Sequence, residues 1–332
     1  MDSPGIGNRY IDQRLRVERE SYTRRFAIDA VLRREVLITQ LAGPIGRRAA
    51  AQESFAAEAR AAMRLSHPNI VTTYDTDTEN GYPFAVQEFV HSETLRSIID
   101  AEKPFHPDDV AILVQSLADA LSYARLRGMP HLAINPDCIV VDYDGTVLVS
   151  DFGIGRVLAD LEPPTPDALP YIAPEAVGPN TGDARSDIYS VGAIAYEMIC
   201  GEAPVRRDDG SALPLDVVAP HTPPAVARVV TMALAPYPEN RFRSIEAFAT
   251  ALSNATEPDQ IPSAHPEEPS PQFRLIDDDP EPDETVQMDV VSAEPPPVQQ
   301  GRTPGRLTAL LAWCALAIGV LALGWVMFSF LS

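Results

Sequence analysis

Lysine is almost absent from this 332-residue chain: of 26 basic side chains only Lys103 is a lysine, and the others are arginines. Chemistry that needs an amine at a fixed place therefore has a single donor. Cysteine is equally scarce. Cys138, Cys200 and Cys314 stand far apart with no CxxC pair, which excludes a disulfide framework or a thiolate zinc site and suits a reducing compartment. Glycine is missing from the whole interval between Gly7 and Gly43, so no backbone in that stretch can press close against a ligand free of β-carbons. The opening MDSPGIGNRYIDQRLRVERE has no apolar core, and no signal peptide is expected there. Positive charge is also in deficit. A formal net charge of −21 argues against nucleic acid as a partner, although about half of it sits in one late segment.

That segment, residues 256–306, is dominated by proline, acidic and small polar residues (IDDDPEPDETVQMD at its centre). It has too few large apolar side chains to offset the entropy of ordering, and is predicted to be an extended, self-repelling linker. Residues 307–331, LTALLAWCALAIGVLALGWVMFSFL, then run without a charge. At 1.5 Å per residue they span about 37 Å, enough for a bilayer core of about 30 Å with some tilt. Arg302 and Arg306 precede the run, so the positive-inside rule places the large N-terminal portion in the cytoplasm and the C-terminus at the outer face of a single-pass membrane protein.

The N-terminal portion has the hydrophobic content of a globular domain. Its early part reads as strand-rich. REVLITQL (34–41) and YPFAVQEFV (82–90) are β-branched or aromatic runs, and TVLVS (146–150) follows the turn DYDG. Between the first two, ESFAAEARAAMRLSH is alanine-rich and predicted helical. Further on, DDVAILVQSLADALSYAR places apolar residues at 110, 113, 114, 117 and 121, the helical period. DIYSVGAIAYEMI (187–199) is apolar nearly all round, as a central helix would be.

Six segments in order carry a family resemblance: SHPNIVTTYD (66–75), YPFAVQEFV, HLAINPDCIVV (131–141) followed by DFG (151–153), YIAPE (171–175), SDIYSVGAIAYEM (186–198) and ENRF (239–242). Together they resemble the bacterial Hanks-type serine/threonine protein kinases, many of which hang from one transmembrane helix. The resemblance implies an α+β, two-lobed fold over 10–255 after a short extension (1–9). The N-lobe would cover about 10–87 and the helical C-lobe about 92–255.

Position by position, the reagents that the family uses are missing. Phosphoryl transfer rests on a glycine-rich loop over the phosphates, a strand-3 lysine, a loop aspartate beside the substrate hydroxyl, and an asparagine with the DFG aspartate on magnesium. Here the glycine-rich loop is replaced by VERESYTRRF, the strand-3 lysine by Thr39, the loop aspartate by Ala133, a following lysine by Asn135 and the metal-binding asparagine by Cys138. Leu132 replaces the arginine that would read an activation-loop phosphate. Glu58 matches the helix-C glutamate without its lysine; Arg33 and Arg34, flanking strand 3, are the nearest substitute cations. The resemblance keeps Glu58, Glu88, Val90 and Asp151 as secondary nucleotide-site candidates, Asp151 being the one metal ligand retained. His131, Phe152, Gly153, Glu175, Asp187 and Arg241 match framework positions: a packed imidazole, an apolar plug and turn, a buried ion pair, and a carboxylate bonded to loop backbone. Thr165 and Tyr171 are the only hydroxyl candidates of the activation segment, and phospho-control through that loop is expected to be lost.

The expectation is a membrane-tethered pseudokinase that binds protein partners, with no cofactor. The alternatives are a weakly active or non-standard ATP-dependent serine/threonine kinase using magnesium, and a non-catalytic nucleotide sensor. The partners expected are an active kinase or a phosphothreonine-binding protein, and Thr285, in the acidic linker, is the candidate phosphosite.

Overall fold

The computed structural model describes Ile6 and residues 9–177, 182–207 and 209–257. These residues all lie in one compact unit. In chain order they form β1 (Tyr10–Glu18), β2 (Tyr22–Asp29), β3 (Arg34–Leu41), α1 (Gly43–Gly46), α2 (Ala49–Ala62), β4 (Thr73–Glu79), β5 (Tyr82–Glu88), β6 (Ser92–Thr94), α3 (Leu95–Glu102) and α4 (Pro107–Arg125). Then follow β7 (Ile139–Asp142), β8 (Val147–Val149), α5 (Ile154–Leu161), α6 (Ala184–Cys200), α7 (Leu215–Val218), α8 (Pro224–Ala233) and α9 (Ile245–Thr256). The membrane helix expected over 307–331, the linker from residue 258 on and Thr285 fall outside the described residues. Among those described, no helix is long and apolar enough to cross a membrane.

The first five strands make an antiparallel sheet in the order β1-β2-β3-β5-β4. Alternation along the strands assigns its two faces. Ala27, Val36, Ile38, Phe84 and Val86 gather with Ile6 and Tyr10 on one. The other face, carrying Leu41 and Ala85, meets Ala51, Phe55 and Ala59 of α2 and Ile154, Val157 and Leu158 of α5 in a single buried cluster. Each of the Leu, Ile, Val and Phe side chains in it gains roughly 1.5–3 kcal/mol on full burial, so α5 is held by the N-terminal sheet although the C-terminal strands precede it in the chain. Periodicity alone misses α5. Its eight residues follow a glycine at φ 73° (Gly153), and only the 154/157/158 spacing marks a face.

The helices α3, α4 and α7–α9 form the second lobe around α6, whose residues 186–199 are all buried. Gly201, at φ 89°, ends that helix in the left-handed conformation that glycine adopts without strain. The alanine-rich helix starts and stops earlier than the stretch 53–67 suggests, at Ala49 and Ala62. Leu65 is left to pack from the loop after it.

Candidate functional site

The cleft between the lobes is where the family resemblance places a nucleotide. Its floor is the loop 131–138. His131 is fully buried, its Nε2 lies 2.9 Å from the Ser150 carbonyl oxygen, and its ring packs edge-on to Phe152 at 4.8 Å. Asp187 of α6 accepts the backbone N–H groups of His131 (2.9 Å) and Leu132 (2.7 Å), and Leu132 takes a positive φ of 59°. Burial pushes the Asp187 carboxyl above its ordinary range, against the pull of those donors. On the activation-segment side, Arg241 grips Glu175 through two 2.7 Å bonds.

On this frame the positions that the resemblance assigns to catalysis carry other side chains. Ala133 offers a methyl group and nothing that can accept a proton. Asn135 turns onto its own loop, with Oδ1 accepting from Asp137 N (2.9 Å) and Nδ2 donating to the Ala133 carbonyl (3.1 Å). Cys138 is buried and its Sγ exchanges bonds with the Asn135 backbone at 3.1 and 3.3 Å. Burial raises its thiol pKa, so the sulfur stays protonated and is no magnesium ligand.

The roof departs furthest from the sequence reading. Arg24 of β2 reaches down to Asp151, Nη2 to Oδ2 at 2.7 Å, with its side chain 19% and that of Asp151 6% exposed. Burial opposes the charge of Arg24, but the facing carboxylate prevails and its pKa rises. The substitute cations expected from the sequence were Arg33 and Arg34, and this is corrected. Arg34 lies over the Tyr74 ring at 3.3 Å, and Arg33 takes φ 53° in the turn before β3. Glu58 is not without a cation either. Arg156 of α5 bonds it at 3.2 Å, because α5 packs under α2.

Two further contacts bear on the roof. In the β1–β2 turn, the Ser21 N–H donates to Glu162 Oε1 at 2.7 Å. At the connection to the second lobe, Phe26 and Phe89 pack edge to face at 4.8 Å, with the Arg16 guanidinium 5.9 and 5.8 Å from their centroids. Glu88 is turned towards Thr72, whose N–H it faces at 3.4 Å. The Val90 carbonyl accepts from the Ser92 hydroxyl at 3.4 Å. Tyr171 is closed to phosphate. It is buried, its hydroxyl bonded to Glu197 and Arg96, and burial raises its pKa. Thr165 remains exposed.

A magnesium–nucleotide does not fit these residues as they stand. One carboxylate oxygen of Asp151 is taken by a guanidinium, the second ligand position is a protonated thiol, and the described residues contain no cluster of three His, Cys, Asp or Glu able to hold a metal. Arg24, Arg156 and Glu162 are the residues that sequence reasoning missed. Two of them lie in quoted or adjoining stretches, but nothing in a motif announces a bond across 127 or 141 positions.

Comparison with known proteins agrees with the architecture. A family described as the protein kinase domain matches residues 45–240. The serine/threonine-protein kinase PknB of Mycobacterium leprae is 33% identical over 241 residues, covering 66% of this chain and 38% of that protein. The chain thus spans about two fifths of the length of that relative. The kinase domain of Mycobacterium tuberculosis PknI superposes with a TM-score of 0.64 at 23% identity, over 76% of this chain and 100% of that one. Rad53 (residues 1–466), in a complex with AMP-PNP, gives 0.60 at 21% identity over 73% and 64%. At these identities the two structures speak for the fold.

Proposed function

Because the chain belongs to the protein kinase domain family, we propose that it works as a pseudokinase, a family fold whose surface binds other proteins while its cleft does not transfer phosphate by the family's route. The observation that carries this reading is the bond between Arg24 and Asp151. The carboxylate that would hold magnesium has a positive partner supplied by the protein itself, and the residues that would complete the reaction are Thr39, Ala133 and Cys138. A positioned base alone contributes about 10²–10⁴ in rate.

A second reading is favoured by the relatives, which are named serine/threonine-protein kinases: an ATP-dependent kinase with weak or rearranged chemistry. Incubating the full chain with labelled ATP and Mg²⁺ separates the two. The pseudokinase reading expects no incorporation above a heat-denatured control and no thermal shift at millimolar nucleotide. Incorporation that Asp151→Ala abolishes would establish the kinase reading instead. A thermal shift without incorporation would point to nucleotide sensing.

We further propose that residues 307–331 tether the domain to a membrane with the domain on the cytoplasmic side. Protein partners, an active kinase or a phosphothreonine reader, would then meet it there through Thr285. The support is the uncharged apolar run and the acidic setting of that threonine.

A further inference from the structure

Between the lobes lies a seam of polar atoms that the fold buries without pairing. Thr39 is 0% exposed and Gln87 1% exposed, and among the described residues the Thr39 hydroxyl and both ends of the Gln87 carboxamide have no protein hydrogen-bond partner. Asp151 Oδ1 and Arg24 Nε share that condition. The strand register puts the strand side chains on one face of the sheet, Arg24 directly across from Thr39 and Gln87 diagonal to it. Arg24 stands opposite Thr39 in the β2–β3 pairing, Thr39 stands opposite Ala85, and Gln87 follows two positions along β5 on the same face. Asp151 closes the row through its bond to Arg24.

A buried polar atom left unpaired costs on the order of 1–3 kcal/mol, and native proteins avoid leaving such atoms adjacent. Five on four side chains in one row therefore require a shared partner. Its chemistry follows from the open valences. Arg24 Nε offers a donor and Asp151 Oδ1 an acceptor, while Thr39 and Gln87 offer both. Arg24 and Asp151 already neutralise each other, so a buried ion would enter without a counter-charge, which is unfavourable. An uncharged molecule that both donates and accepts suits every position, and replacing a long amine by Thr39 removes the side chain that would otherwise fill this face.

We propose that the seam formed by Arg24, Thr39, Gln87 and Asp151 is a hydration site, holding about two internal waters that bridge the row, since a buried water makes roughly three hydrogen bonds. This is independent of whether the chain transfers phosphate. The test is ¹⁷O magnetic relaxation dispersion on the full chain in detergent, comparing wild type with Thr39→Val, Gln87→Leu and the double variant. The expected result is a long-lived water contribution that falls in each single variant and falls further, by about two waters, in the double one, while the share from the rest of the domain persists. Thr39→Val keeps shape and strand preference, so it reports even where Gln87→Leu does not fold. Dispersion unchanged by Thr39→Val, with the fold intact by circular dichroism, overturns the proposal.

Discussion

The backbone N–H of Ser21 donates to the carboxylate of Glu162 across 141 positions of sequence, at 2.7 Å. A turn that in the family resemblance would lean over phosphates leans instead on an acidic side chain of the same protein. Removing that acceptor leaves a fully buried serine amide unpaired. Glu162→Ala is expected to lower stability by about 1.5–3 kcal/mol. Hydrogen exchange should rise at residues 19–22 more than in α4, and uniform or absent change there would contradict the assignment.

Arg24 and Asp151 are expected to couple. Breaking a buried ion pair from one side costs about 3–5 kcal/mol, whereas removing both charges costs much less. Arg24→Met and Asp151→Asn should each lower the Tm, while the double variant falls by clearly less than the sum. Additive shifts would mean that the pair contributes nothing.

Gly43 should tolerate no side chain. Its φ is 63°, and a β-carbon there would lie 2.3 Å from the Glu20 carbonyl oxygen, which is backbone and has little freedom to retreat. Gly43→Ala is predicted to cost more than about 1 kcal/mol, whereas Gly81→Ala, at similar φ but in open space, should cost less. Denaturant midpoints measured side by side decide this.

Asp29 makes the domain sensitive to acid. Hydrogen bonds from Arg9 hold its carboxyl down at about 2, against its burial and with help from the Leu32 and Val31 amides. A folded-state pKa below the unfolded value means that the stabilisation is fully present above the unfolded value. It is lost as pH falls towards about 2. Asp29→Asn should flatten the fall of stability between pH 4 and pH 2, as read from urea midpoints. An unchanged slope would refute the role of Asp29.

Much of the frame was legible in the chain. β3, α4 and α6 are visible from a β-branched run, a helical period and an all-apolar run, because each is decided by its own residues. The reactive positions were legible too, since Thr39, Ala133 and Cys138 are read by register with DFG and YIAPE. The cleft's own wiring was not. Arg24 sits in a stretch that announced itself only by lacking glycine, and its partner depends on how two lobes meet. The same holds for Arg156, whose bond to Glu58 exists because three apolar residues of α5 choose the underside of α2.

That choice has a consequence for how the molecule divides. Leu41, Phe55 and Ala85 share one cluster with Ile154, Val157 and Leu158, so the first lobe is completed by residues that the chain supplies only after crossing into the second. Cleavage in the connection near residues 89–91 would give an amino-terminal fragment with an open underside. That fragment would become a folded body only when residues 151–162 were returned to it as a separate piece.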